Sequence, residues 1–261
     1  MKFLLVFVVV ASVLYNGVGC RALRVDEETK FLVLEDDNMD RTVLDCNYDL
    51  NDTDVFLTVK WFRNDRTIYQ WIRGSQPAPI PDFKNDVDST YESSKDPNKQ
   101  YSSLALINPT ISSTGDYKCV VQTRSETITI HKSLQVIDVR NRTLNLSRYK
   151  IHNETQLECT VLNVFPKPTL TIISDDDDII KVVNHGPYEQ GDGYYNATTL
   201  AVVQDNDDDA DAYKCVVNFE GYSQNFTTVI TSGSGPRYVD YRIVLLNIFV
   251  LSLLANLNIF N

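Results

Sequence analysis

The chain has 261 residues, room for two domains of ordinary size, and a formal net charge of −11 at pH 7. So acidic a surface argues against nucleic acid, heparin or anionic lipid as partners. Its three histidines, His131, His152 and His185, are scattered, and neither a phosphate-cradling glycine loop nor an HExxH motif is present. The chain therefore reads as a binder and not an enzyme, with no cofactor and no catalytic or metal residues expected.

The N-terminus, Met1-Lys2 followed by the apolar run Phe3 to Leu14, has the order of a secretory signal peptide. It is too short for a membrane span. Small residues place the cut between 19 and 23, so residues 1–22 are read as signal and Cys20 leaves with it. Four of the five cysteines remain, and in an oxidising compartment they pair as Cys46–Cys119 and Cys159–Cys215.

Residues 23–138 form the first predicted domain. Phe31 to Leu34 opens it, and Thr42 to Tyr48 follows with Leu44, Cys46 and Tyr48 on one strand face. Leu57, Val59 and Trp61 alternate likewise, and the aromatic run TIYQWIR comes next. Gly74 to Pro81 is not expected to be strand, because its prolines lack ladder donors. Leu104 and Leu106 point inward within Tyr101 to Ile107. Tyr117, Cys119 and Val121 share a face, and Ile128 to Val136 closes the unit. A cysteine pair separated by 73 residues, a Trp between them to cover the bridge and a Tyr two residues before the second cysteine make the immunoglobulin pattern in its longer, variable-type form.

Residues 139–232 repeat the pattern in shorter form. Asp138 to Asn153 is polar and reads as linker and opening segment. Leu157, Cys159 and Val161 alternate, Leu170 and Ile172 follow, then Leu200 and Val202, then Tyr213, Cys215 and Val217. Cysteines separated by 56 residues suit a constant-type sandwich. Tyr213 keeps the tyrosine corner; the Trp is missing, and Ile172 stands near its place. The fold class is all-β, two tandem immunoglobulin-like sandwiches, variable-type then constant-type.

Sequons for N-glycosylation stand at Asn51, Asn141, Asn145, Asn153, Asn196 and Asn225. The acidic runs Asp175–Asp178 and Asp205–Asp211 invite a calcium reading, but they lack EF-hand spacing and read better as solvated loops. Thr231–Gly235 is small and polar, a spacer follows, and Ile243 to Phe260 is apolar. That order signals a glycosylphosphatidylinositol anchor with Ser232 as attachment site and residues 233–261 as propeptide. The rival is a single transmembrane helix over 243–260. Against it stand Asn247, Asn256 and Asn258 within the tail and the lack of a following Lys or Arg. The protein is thus expected on the extracellular face of the plasma membrane.

The segments CNYDL, TVKWFRNDRTIYQW and PAPIPDF, with Leu23-Arg24-Val25 ahead of them, resemble the Beaten path family of arthropod neuronal immunoglobulin proteins over about residues 23–138. The second domain departs from that family's pattern. The resemblance implies heterophilic binding of another immunoglobulin-superfamily receptor, Sidestep-like, in axon guidance or synaptic partner choice. The alternative is a membrane-anchored module recognising immune or soluble ligands. Alternation points Phe62 away from the core, and the apolar TIYQWIR strand beside it exceeds what one inward face can use. Phe62, Tyr69, Trp71, Val120 and Gln122 are therefore the expected partner-binding residues.

Overall fold

A computed structural model describes residues 28–37, 41–50, 56–151, 154–174, 179–203, 213–230 and 237–238. The signal segment, Asn51, Asn153, both acidic runs, Ser232 and the apolar tail lie outside the described residues.

Eight strands build the first unit: β1 (Glu28–Leu34), β2 (Arg41–Leu44), β3 (Thr58–Arg63), β4 (Arg66–Ile72), β5 (Ala78–Pro79), β6 (Leu104–Ile107), β7 (Gly115–Gln122) and β8 (Thr127–Asp138). One sheet runs β1-β8-β7-β3-β4-β5, and β2 pairs with β6 in a second layer. β1 runs parallel to β8, whereas the other ladders of the large sheet are antiparallel. The β3–β4 hairpin closes on Asn64-Asp65, both at positive φ (47° and 63°), a conformation that short polar side chains tolerate and tight hairpins require. The proline loop does carry a short strand after all. Ala78 and Pro79 pair with Gln70 and Tyr69 at the edge of the sheet, where no further strand needs the missing N–H.

The Cys46–Cys119 bridge joins the two layers with Cα atoms 6.1 Å apart. Trp61 lies directly opposite Cys119 in the β3–β7 ladder, fully buried, and its indole Nε1 donates to Ser102 O at 2.8 Å. The Tyr117 hydroxyl donates to Ser113 O at 2.7 Å, tying the preceding turn to the strand as a tyrosine corner does. Burial pushes that phenol up to about 12.

The second unit holds β9 (Thr143–Ile151), β10 (Glu154–Val164), β11 (Pro168–Ser174), β12 (Ile179–Glu189), β13 (Tyr195–Val203), β14 (Tyr213–Phe219), β15 (Phe226–Ile230) and the short β16 (Arg237–Tyr238). They form a sheet ordered β12-β13-β10-β9-β16 and a second ordered β11-β14-β15. Cys159 and Cys215 bridge them, with Cα atoms 6.0 Å apart. Ile172 faces Cys215 across the β11–β14 ladder as Trp61 faces Cys119 in the first unit, so it takes the place of the absent Trp. Most of the polar opening segment is strand β9. Its Leu146 is buried and Leu144 packs on the core, and only the residues between β8 and β9 connect the two units.

The junction is ordered. Backbone hydrogen bonds run both ways between Asp138 and Phe165, at 2.8 and 3.0 Å. The buried Asp138 carboxylate accepts from Arg140 Nη2 at 2.6 Å and Nε at 3.0 Å, and from the Tyr194 hydroxyl at 2.9 Å. Arg140 also reaches Asp37 at 3.1 Å, and Phe31 of β1 packs on Tyr222 with ring centroids 5.5 Å apart. Burial alone would raise the Asp138 carboxyl, but its hydrogen bonds from Arg140 and Tyr194 outweigh that and hold it below the ordinary carboxylate range. A depressed folded pKa gives stability that is present above the unfolded value of about 3.9 and lost as pH falls through the folded one. Asp138→Asn is therefore expected to flatten the loss of stability as pH falls below about 4, measured as denaturant midpoint against pH. An unchanged slope would show that this carboxyl does not titrate with unfolding.

Candidate functional site

The outward face of the large sheet in the first unit is set by its register. Phe62 stands between Thr67 on β4 and Lys118 on β7, with His131 of β8 beyond. The next row is Gln70, Lys60, Val120 and Thr129. Gln122 and Ile72 flank Thr58 at the far end, Gln122 exposed and Ile72 41% exposed. Lys118 holds the centre together: its Nζ lies 5.1 Å from the Phe62 ring centroid and donates to Asp65 Oδ1 at 2.7 Å. That bond keeps the Asp65 carboxyl below its usual range. The result is a mostly polar face that carries Phe62, Val120 and Ile72, with lysines at its centre, on a chain that is acidic as a whole.

Phe62, Val120 and Gln122 thus share this face, but Tyr69 and Trp71 do not. They are 2% and 1% exposed and lie in the core. Residues opposite one another in a ladder share a face, and Tyr69 pairs with the inward Trp61 while Trp71 pairs with the inward Val59. A register shift then admits Ile68 as an extra residue between Tyr69 and Thr67, and it too turns inward. The Tyr69 hydroxyl donates to Tyr101 O at 2.8 Å, and Trp71 meets the Tyr101 ring edge-on at 5.9 Å. The expectation that Tyr69 and Trp71 offer partner-binding surface is corrected by that register. Alternation places Phe62 and Lys118 on one face, and the β3–β7 register sets them directly opposite each other.

The described sequon residues Asn141, Asn145 and Asn225 are exposed and Asn196 is half-buried; Asn141 lies in the connection between the units and the other three in the second unit. Tyr213 is buried, with the Arg148 guanidinium 5.7 Å from its ring centroid, while the loop before it lies outside the described residues. A polar cavity of about 410 Å³ opens beside Cys46, lined by Asp45, Tyr48, Asp49, Ser93, Lys99 and Ser103 among others. Its carboxylates are engaged, Asp45 by the Ser103 hydroxyl at 3.0 Å and Asp49 by Lys99 at 3.1 Å. Among the described residues no group of three or more His, Cys, Asp or Glu could hold a metal ion, and no helix is long and apolar enough to cross a membrane.

Family comparison agrees with the two sandwiches. A profile for the immunoglobulin domain matches residues 39–132, and one for the immunoglobulin C1-set domain matches residues 143–222. The chain carries two immunoglobulin-superfamily domains. Among solved structures, the crystal structure of bovine butyrophilin is similar, with a TM-score of 0.56 and 14% identity, covering 79% of this chain and 96% of that one. At that identity the likeness shows the fold alone. The fold is shared by 1950 matching chains, so it does not select a ligand. Comparison with curated proteins gives no sequence match. The outer face of the large sheet lies within the immunoglobulin match; Asn145 and Asn196 lie within the C1-set match, Asn141 just ahead of it and Asn225 just after it.

Proposed function

We propose that this chain is a cell-surface recognition protein whose immunoglobulin domain binds another immunoglobulin-superfamily receptor through the outer face of its large sheet. The observation that carries the reading is the set of apolar residues Phe62, Val120 and Ile72 around Lys60 and Lys118, on strands that carry no sequon. Two lysines at the centre of that patch, on an otherwise acidic chain, favour a partner with acidic groups amid an apolar surround. The motif resemblance to Beaten path proteins supports a Sidestep-like partner and a role in axon guidance or synaptic partner choice. The tail order supports lipid attachment at Ser232.

One preparation tests both parts. Phosphatidylinositol-specific phospholipase C should release the protein from intact expressing cells; retention would sink the lipid anchor. The released ectodomain is then screened against the surface immunoglobulin proteins of the source organism. For the partner found, Phe62→Ala should weaken binding by roughly 1–3 kcal/mol, as truncation of a central aromatic does. Thr171→Lys on the other domain should leave it unchanged. Equal affinities for both variants and the parent would move the site off this face.

A further inference from the structure

The outer face of the five-stranded sheet in the C1-set domain is only half polar. Lys181, Val202, Gln156 and Tyr149 form one row across it, and Val183, Leu200, Glu158 and Ser147 the next. His185, Thr198, Thr160 and Asn145 follow. Beyond them, at the end nearest the junction, Leu162 is 38% and Tyr188 62% exposed. β12 is the edge of this sheet. An edge strand beside exposed apolar residues is an invitation to pair with another copy unless something covers it.

Three sequons converge on this same end. Asn145 is exposed, and its Nδ2 donates to the Ser147 hydroxyl of its own sequon at 2.8 Å. Asn196 lies two strands across and two residues along from Asn145. Strand spacing and rise therefore separate their Cα atoms by about 12 Å. Asn163 ties the third to them: its N–H donates to Asn196 Oδ1 at 2.9 Å and its Nδ2 to Asn141 O at 3.2 Å. The bond to Asn196 occupies Oδ1 and leaves Nδ2, the atom that carries sugar, outside it.

We propose that N-glycans on Asn141, Asn145 and Asn196 cover this end of the sheet and keep the C1-set domain from pairing through it. In each transfer Nδ2 gives up a proton and bonds to the anomeric carbon of a lipid-pyrophosphate-linked oligosaccharide. The bond from that carbon to the pyrophosphate oxygen breaks, and lipid pyrophosphate leaves. Bulky, solvated sugar over Leu162, Val183 and Tyr188 replaces the contact that a second copy would make. The inference rests on the secretory placement of the chain but not on the docking face of the other domain.

The test uses the full chain expressed in mammalian cells. Enzymatic deglycosylation in ¹⁸O water followed by peptide mass spectrometry should convert Asn141, Asn145 and Asn196 to labelled Asp. The same enzyme applied to the folded protein should turn a monomer into a concentration-dependent dimer or larger species by light scattering. A Leu162→Lys, Val183→Lys variant stripped in the same way should stay monomeric. Unmodified Asn145 and Asn196 in a chain that carries sugar at Asn225 would overturn the inference while leaving secretion intact. So would a stripped parent protein that stays monomeric at every concentration. Absence of sugar at every site would overturn both the inference and the secretory placement beneath it.

Discussion

Trp71→Ala is expected to unfold the immunoglobulin domain, not to silence a docking face. The indole is 1% exposed, lies across from Val59 and meets Tyr101 edge-on, so truncation opens a large cavity under β4. Such a change costs about 3–5 kcal/mol, against a total of about 5–15 for a domain of this kind. The variant should fail to be secreted, or show a much lower denaturant midpoint if it is. Phe62→Ala, at a half-buried surface position, should be secreted at the parental level. The two tryptophans differ in a second way. Trp61 Nε1 has its acceptor in Ser102 O, whereas Trp71 Nε1 makes no hydrogen bond with the described protein. Trp61→Phe should therefore cost more than Trp71→Phe, by about 1 kcal/mol for the bond and more if the Ser102 carbonyl is left unsatisfied. Normal secretion and stability of Trp71→Ala with loss of partner binding would return this side chain to the surface.

The contrast between Trp61 and Trp71 marks where sequence reading stops. Around Trp61 polar and apolar residues alternate, and a period of two assigns each side chain to a face without further information. TIYQWIR has no such alternation. Ile68, Tyr69, Trp71 and Ile72 are all apolar or aromatic, so which of them face inward depends on the register against β3 and on the extra residue at Ile68. Neither is written in the strand itself. The cysteine pairs, Trp61 and the Tyr117 corner were legible because each is a local spacing with one geometric meaning. Strand β9 was not, because after Leu144 and Leu146 its inward positions carry Arg148 and Lys150, opposite the buried Leu157 and Thr155, so the alternation stops. The Asp138 cluster is a further case: Tyr194, which completes it, lies 56 residues away, and only the packing of the two domains brings them together.

Removing the bridge of the C1-set domain, by Cys159→Ala with Cys215→Ala, is expected to unfold that domain while the other stays folded. In the chain-entropy model, closed loops of 73 and 56 residues each contribute about 4 kcal/mol, so loop length does not favour one bridge over the other. What differs is the cover, a full indole over Cys119 and a smaller Ile172 side chain over Cys215. A loss of about 4 kcal/mol is a large share of one domain's stability. Both tryptophans of the chain lie in the immunoglobulin domain. Tryptophan fluorescence therefore reports that domain alone, while far-ultraviolet circular dichroism reports both. In the double variant the dichroism should fall at low denaturant with the fluorescence still native. The fluorescence midpoint should drop only slightly, because the first domain loses the Arg140–Asp138–Tyr194 contact and the Phe31–Tyr222 packing when its neighbour unfolds. Coincident transitions by the two probes in the double variant would instead mean that the junction joins both sandwiches into one cooperative unit.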